Sequence, residues 1–221
     1  GSKPVVSKKL ITTVAWQIGK ETMYALEGSV FSCGAAQNWL QNNLGIIKNG
    51  PDADRLAARV KDSGGVTVVP AFSGLGAPYW DPQARAVISG LTQHSRREHI
   101  VRATLEAIAQ QVTDVVEVMR QETRLPIREI RADGGVAKSD LMLQQQADLA
   151  RVRVFRAKQS ESTALGAAML AGLQVGFWKN IRELRRVVKI SRAFSSKMNN
   201  NKRIQRSAQW AHAIACTQHQ I

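Results

Sequence analysis

Apolar residues recur at spacings of four and three through Val101, Leu105, Ile108, Val112, Val115 and Met119. That stripe predicts one long helix over 97–122, the main structural element of the chain. Each such side chain contributes about 1.5–3 kcal/mol when buried. Ahead of it, β-branched residues over 9–16 predict a strand and 22–26 its antiparallel partner, with Gly19-Lys20 as the turn. A helix begins near Phe31, with Ala35, Trp39 and Leu40 on one face and Gly45 as its stop. Pro51 opens a second, shorter helix over 52–62. The run 66–72 reads as a strand that enters a loop at 73–78, and 86–91 as another short strand.

Beyond the long helix the pattern alternates more quickly. Residues 127–133 predict a strand, 139–150 a helix entered through Ser139 or Asp140, and 152–156 a further strand. The helix expected over 163–175 carries Ala164, Ala167, Ala168, Ala171 and Gly172, small enough for close approach to a sheet or a second helix. Asn180 with Glu183 suggests a cap for a basic helix. A last helix past Asn199-Asn200-Asn201 carries Ile204, Ala208, Ala211 and Ala215. No internal repeat is evident. The order of elements predicts an α/β domain with a mixed sheet flanked by helices.

Candidate chemistry centres on the strand-to-helix junction at Asp133-Gly134-Gly135. Glycines there let the backbone turn sharply, and the helix that follows offers unsatisfied N–H groups to an anion such as a phosphate. A plain connection between strand and helix has the same signature. The third glycine of a dinucleotide fingerprint is absent, the next strand ends in Arg156 where that fingerprint has an acid, and no Walker loop occurs. Gly34 is a second oddity, because a glycine in the first turn of a helix costs up to about 1 kcal/mol relative to alanine. Either a neighbour needs the room or a ligand lies against the backbone. Asp133 reads as a structural residue holding Gly134, with a cap for the turn or a contact to a metal-bound water as the alternatives.

The formal charge of +14 changes the picture only at the C-terminal end. Residues 179–221 hold ten Lys/Arg against the single acid Glu183. Such a tail can hold nucleic acid or an anionic surface, but it lacks the interleaved aromatics that read bases, and a solvated helical face is the expectation. Cys33 and Cys216 show no metal or redox spacing, which suits a reducing, cytoplasmic setting. The longest apolar run, 163–178, is interrupted by Gln174 and is too short for a membrane span.

Five stretches carry a resemblance: YALEGSVFSCGAAQNWL (24–40), VVPAFSGLGAPYWDPQARAVISGLT (68–92), IVRATLEAIAQQ (100–111), IRADGGVAKSDLMLQQQADL (130–149) and STALGAAMLAGLQVGFW (162–178). Together they resemble the C-terminal lobe of the FGGY carbohydrate kinases. The GLGAPYWD and TALGAA…GFW blocks favour the branch that phosphorylates glycerol over its xylulokinase-like cousins. The resemblance implies a ribonuclease-H-like (actin/hexokinase-type) lobe over 3–178, with 179–221 as its basic helical tail. It implies ATP or ADP with Mg, held by Gly34, Asn38, Gly134, Gly135 and Ser139. At two of these the family's pattern differs, with glutamine at the position of Asn38 and asparagine at that of Ser139.

In such kinases the N-terminal lobe supplies the phosphate loop, the glycerol pocket and the aspartate that acts as general base. None of those motifs occurs in this chain, so the resemblance implies a nucleotide-side lobe that is inert by itself. The missing N-terminal lobe is its expected partner, and glycerol is expected to sit on that lobe. The first strand of the C-terminal lobe, which carries a Gly-Thr-Gly turn in the family, is also not found here. Another FGGY sugar kinase, or a non-catalytic module with an anion-binding tail, remains as an alternative. Homo-oligomerisation stays open.

Overall fold

The computed structural model describes residues 1–218. Strands β1 (Ile11–Ile18) and β2 (Glu21–Glu27) form an antiparallel hairpin through Gly19, whose φ of +59° suits the tight turn. The register slips between Val14 and Trp16, a bulge that bends β1. The predicted helix after Phe31 is a short α1 (Gly34–Asn38) that loosens into a π-turn at Trp39–Asn43. Its buried residues are Ala36 and Leu40, while Ala35 is exposed and Trp39 half-buried, so the inward face lies one position from the predicted one.

Helix α2 (Gly50–Ala57) is capped by the Asn49 side chain, which accepts the Asp52 N–H, and it ends five residues before the predicted stop. Strands β3 (Thr67–Val69) and β4 (Val87–Ser89) pair antiparallel, and Pro70 ends the first of them. Helix α3 (Arg97–Thr123) is the long helix that the stripe predicts. Strand β5 (Glu129–Ala132) runs parallel to β6 (Arg153–Ala157), joined through helix α4 (Asp140–Ala150).

The second half corrects the expected tail. Residues of the expected helical tail supply β7 (Ile190–Phe194), antiparallel to β6, so the sheet order is β5-β6-β7 and the sheet is mixed. Only Phe194 of β7 is buried, and an exposed edge strand offers no alternation to read. The basic helix expected after Asn180 shrinks to one turn, α6 (Ile181–Leu184), and α7 (Asn200–Gln218) closes the described chain. The tail is not simply a solvated face, because Arg192, Lys202 and Arg206 pair with Asp140, Asp62 and Glu106.

The core is built around α3. One cluster joins Ile108 and Val116 to Met142, Leu143 and Ala147 of α4 and Val154 of β6. A second sets Trp210, Ala213 and Ile214 of α7 on Val69, Leu75 and Ala107. Between them lies Asp114 of α3, whose Oδ2 accepts from Tyr79 Oη (2.9 Å) and Trp210 Nε1 (2.7 Å). Burial pushes the Asp114 carboxyl up to about 6, against the opposing pull of those two donors.

A folded-state value above the unfolded one gives stability that is complete below about pH 4 and lost as pH rises through 6. An Asp114→Asn chain keeps an oxygen acceptor for both donors and carries no charge to desolvate. It should match the parent near pH 4 and exceed it by about 2–3 kcal/mol at pH 8. Denaturant unfolding at both pH values checks this. A gap that does not widen with pH would refute it.

Helix α5 (Ser162–Gln174) departs from expectation. Its apolar residues Ala164, Ala167, Ala168, Leu170 and Ala171 are exposed, so the close approach expected of them does not occur. Only Gly172 is buried, against the Trp178 ring. Beneath α5 lie a cavity of about 290 Å³ on the side of β5 and β6 and another of about 410 Å³ on the side of β1. Both are mostly apolar, and Ser162, Gly166 and Met169 line both. Among the described residues β1 has β2 as its only partner strand and β5 has only β6, so each presents an open edge.

Candidate nucleotide site

The C-terminal ends of the parallel strands β5 and β6 are where ligands bind in sheets of this kind. Strand β5 delivers Asp133, Gly134 with φ +86°, and then Gly135 in ordinary right-handed backbone at φ −59°, ψ −47°. A single 3-10 turn, Val136–Lys138, leads into α4. Arg156 of β6 clamps this turn by donating to the carbonyls of Ala137 (3.4 Å) and Lys138 (3.0 Å) and to Asp140 Oδ1 (2.8 Å). Asp140 also pairs with Arg192 of β7. The strand missed in the sequence thus helps fix the start of α4.

Gly34 is brought toward the same place. Cys33 beside it and Val136 and Ala137 beyond Gly135 all pack on the cluster around Ile108 and Met142. Burial holds the Cys33 thiol above its usual range. Gly34 is the first residue of α1, and a Cβ built on it meets no atom within 4 Å. The same holds at Gly134 and Gly135. Crowding by a neighbour, one of the two explanations open for Gly34, is therefore removed. Gly28, Gly74, Gly76 and Gly90 provide the contrast, since each would drive a Cβ to within 3 Å of another atom.

The two polar residues behave differently from each other. Asn38 ends α1 and is exposed. Ser139 is only 4% exposed and faces inward. Its hydroxyl accepts the Met142 N–H at 3.0 Å as the cap of α4 and donates to Asp54 of α2. Burial raises the Asp54 carboxyl, with the Ser139 hydroxyl pulling the other way. The cap was legible as Ser139 before a run of helix formers, but the Asp54 partner, 85 residues upstream, left no trace in the local pattern.

Asp133 sends its Oδ2 to the Ser162 N–H at 3.0 Å, at the start of α5. A small open cleft of about 170 Å³ beside Gly134 is lined by Lys138, Arg156, Lys158 and Ser160. Among the described residues no cluster of His, Cys, Asp or Glu could hold a metal ion on its own. No helix of the described chain is long and apolar enough to cross a membrane.

The mixed sheet flanked by helices is shared with solved carbohydrate-kinase structures, and the chain is a ribonuclease-H-like lobe of the actin/hexokinase type. The C-terminal domain of the FGGY family of carbohydrate kinases matches residues 1–175, and the chain belongs to that family.

It is 47% identical over 222 residues to the glycerol kinase of Trichlorobacter lovleyi, covering 96% of this chain and 45% of that relative. With the glycerol kinase of Bdellovibrio bacteriovorus the identity is 47% over 216 residues, covering 97% and 44%. The crystal structure of Plasmodium falciparum glycerol kinase with ADP aligns with 100% of this chain and 44% of its own at a TM-score of 0.91 and 35% identity. A xylulose kinase from Rhodospirillum rubrum reaches a TM-score of 0.78 at 24% identity, over 95% of this chain and 42% of its own, and shares the fold. The chain spans less than half the length of the curated relatives it matches.

Proposed function

We propose that this chain is the nucleotide-side lobe of an ATP-dependent glycerol kinase, holding ATP or ADP with Mg while a second lobe presents glycerol. The observation that carries this reading is the set of glycines at 34, 134 and 135. At Gly34 and Gly135 neither backbone conformation nor packing calls for glycine. A ligand lying against bare main chain does. The glycerol kinase relatives, and the Plasmodium falciparum enzyme crystallised with ADP, supply the ligand class.

Phosphoryl transfer depends mostly on positioning and on neutralising charge. In this reading the backbone of the turn and the start of α4 hold the nucleotide, and Ser139 shapes the site from behind through Asp54. The partner is the remainder of a kinase about twice this length. Closure of the two lobes excludes water, which otherwise competes with the alcohol as acceptor.

Calorimetric titration with ADP tests the reading. Binding is expected to be weak, in the high micromolar range or above, because one wall is missing. Gly34→Ala and Gly135→Val have room in the fold, and each should cut affinity about tenfold or more without lowering the melting temperature. Unchanged affinity in both would move the site elsewhere. The purified chain should show no glycerol-dependent ATP turnover, and turnover would overturn the assignment to a lone lobe.

A further inference from the structure

Helix α5 has no cap of its own. Its N-cap residue, Glu161, makes no side-chain bond to the helix, and its first turn contains no acid. The cap comes instead from across the fold, where Asp133 Oδ2 accepts the Ser162 N–H at 3.0 Å. A carboxylate there meets both an orphan donor and the positive end of a 13-residue helix. Asp133 is also the residue directly before Gly134, at the point where β5 ends and the turn begins. Downstream the turn is clamped by Arg156, and upstream by this carboxylate. The body of α5 lies over the two cavities with only Gly172 buried, so the bond at its N-terminus joins a sparsely packed element to the glycine turn.

From this geometry we infer that Asp133 is a positioning residue, which holds the Gly134-Gly135 turn in its nucleotide-ready form by capping α5. The seating of α5 and the affinity of the turn then rise and fall together. The inference rests on the nucleotide reading above for its ligand, but the mechanical coupling can be read without one.

The bond can be cut from either side. Asp133→Ala removes the acceptor. Ser162→Pro removes the donor at the first position of the helix, where proline is well tolerated. Either change should speed amide exchange about fivefold or more both at Leu165, which closes the first turn of α5, and at Lys138 and Ser139, whose N–H groups close the glycine turn, and should weaken ADP binding three- to tenfold. The double variant should be no worse than either single one, because both remove the same bond. Asp133→Asn retains an oxygen acceptor and should recover most of the loss.

Full additivity in the double variant would overturn the inference. So would Asp133→Ala exchange that rises at the turn but not at α5. An Asp133→Asn chain as weak for ADP as Asp133→Ala, with α5 exchange unchanged, would instead mean that the carboxylate acts through its charge on the ligand. If the parent chain binds no ADP, the nucleotide reading fails, and the exchange measurements still decide the coupling.

Discussion

Replacing Glu106 with alanine should cost this fold about 3–5 kcal/mol, the expected result of stranding two buried guanidinium groups. Glu106 is only 6% exposed. Its Oε1 accepts from Arg102 Nε at 2.9 Å and its Oε2 pairs with Arg206 of α7. The side chains of Arg102 and Arg206 are 13% and 12% exposed, so water can reach neither well. Arg102 retains long bonds to the carbonyls of Ala57 and Val60, but Arg206 loses its only described ion pair. The loss should therefore appear first as faster amide exchange over 200–218, followed by an earlier denaturant midpoint. A Glu106→Ala, Arg206→Met double variant should be less damaged than Glu106→Ala alone, since it removes one stranded charge. A cost below about 1 kcal/mol for the single variant would show that the charges are solvated and would dismiss this account.

The second large effect belongs to Gly76. A Cβ at this position would lie 2.1 Å from the carbonyl oxygen of Ser29 and 3.1 Å from the Phe31 ring. The approach is fixed by the neighbouring Ala77 N–H, which donates to that same oxygen at 2.9 Å. The loop that starts here carries Tyr79 to Asp114 and Trp80 Nε1 to the Lys9 carbonyl. Gly76→Ala must push the loop outward and loosen those contacts, at a cost of about 3 kcal/mol or more. Gly34→Ala, with open space in front of it, should change stability by less than about 1 kcal/mol in the same assay. Equal costs at the two positions would contradict the packing described.

These cases also indicate what could be read from the sequence. The stripe from Val101 to Met119 declares α3 because its spacing is local and its burial strong. The glycine turn at 134–135 was legible for the same reason, since strand, turn and cap follow one another along the chain. Glu106 and Asp114 lie in that helix, and no local pattern marks either as an inward-facing charge. Their burial depends on α7, which arrives about a hundred residues later. Strand β7 was hidden because its only buried side chain is Phe194, and its place is set by pairing with β6. The inward turn of Ser139 and the cap from Asp133 to α5 likewise join distant segments. Local periodicity contains no record of either bond.

The open flank of β1 has a practical consequence for anyone handling the protein. Its eight residues, ITTVAWQI, contain no charge, and Ile11 and Val14 are 47% and 54% exposed. Lys9 and Lys20 guard the two ends of the run and nothing guards its middle. In concentrated stocks this ribbon is where fibrils would nucleate, and a lysine in place of Val14 is the simplest remedy.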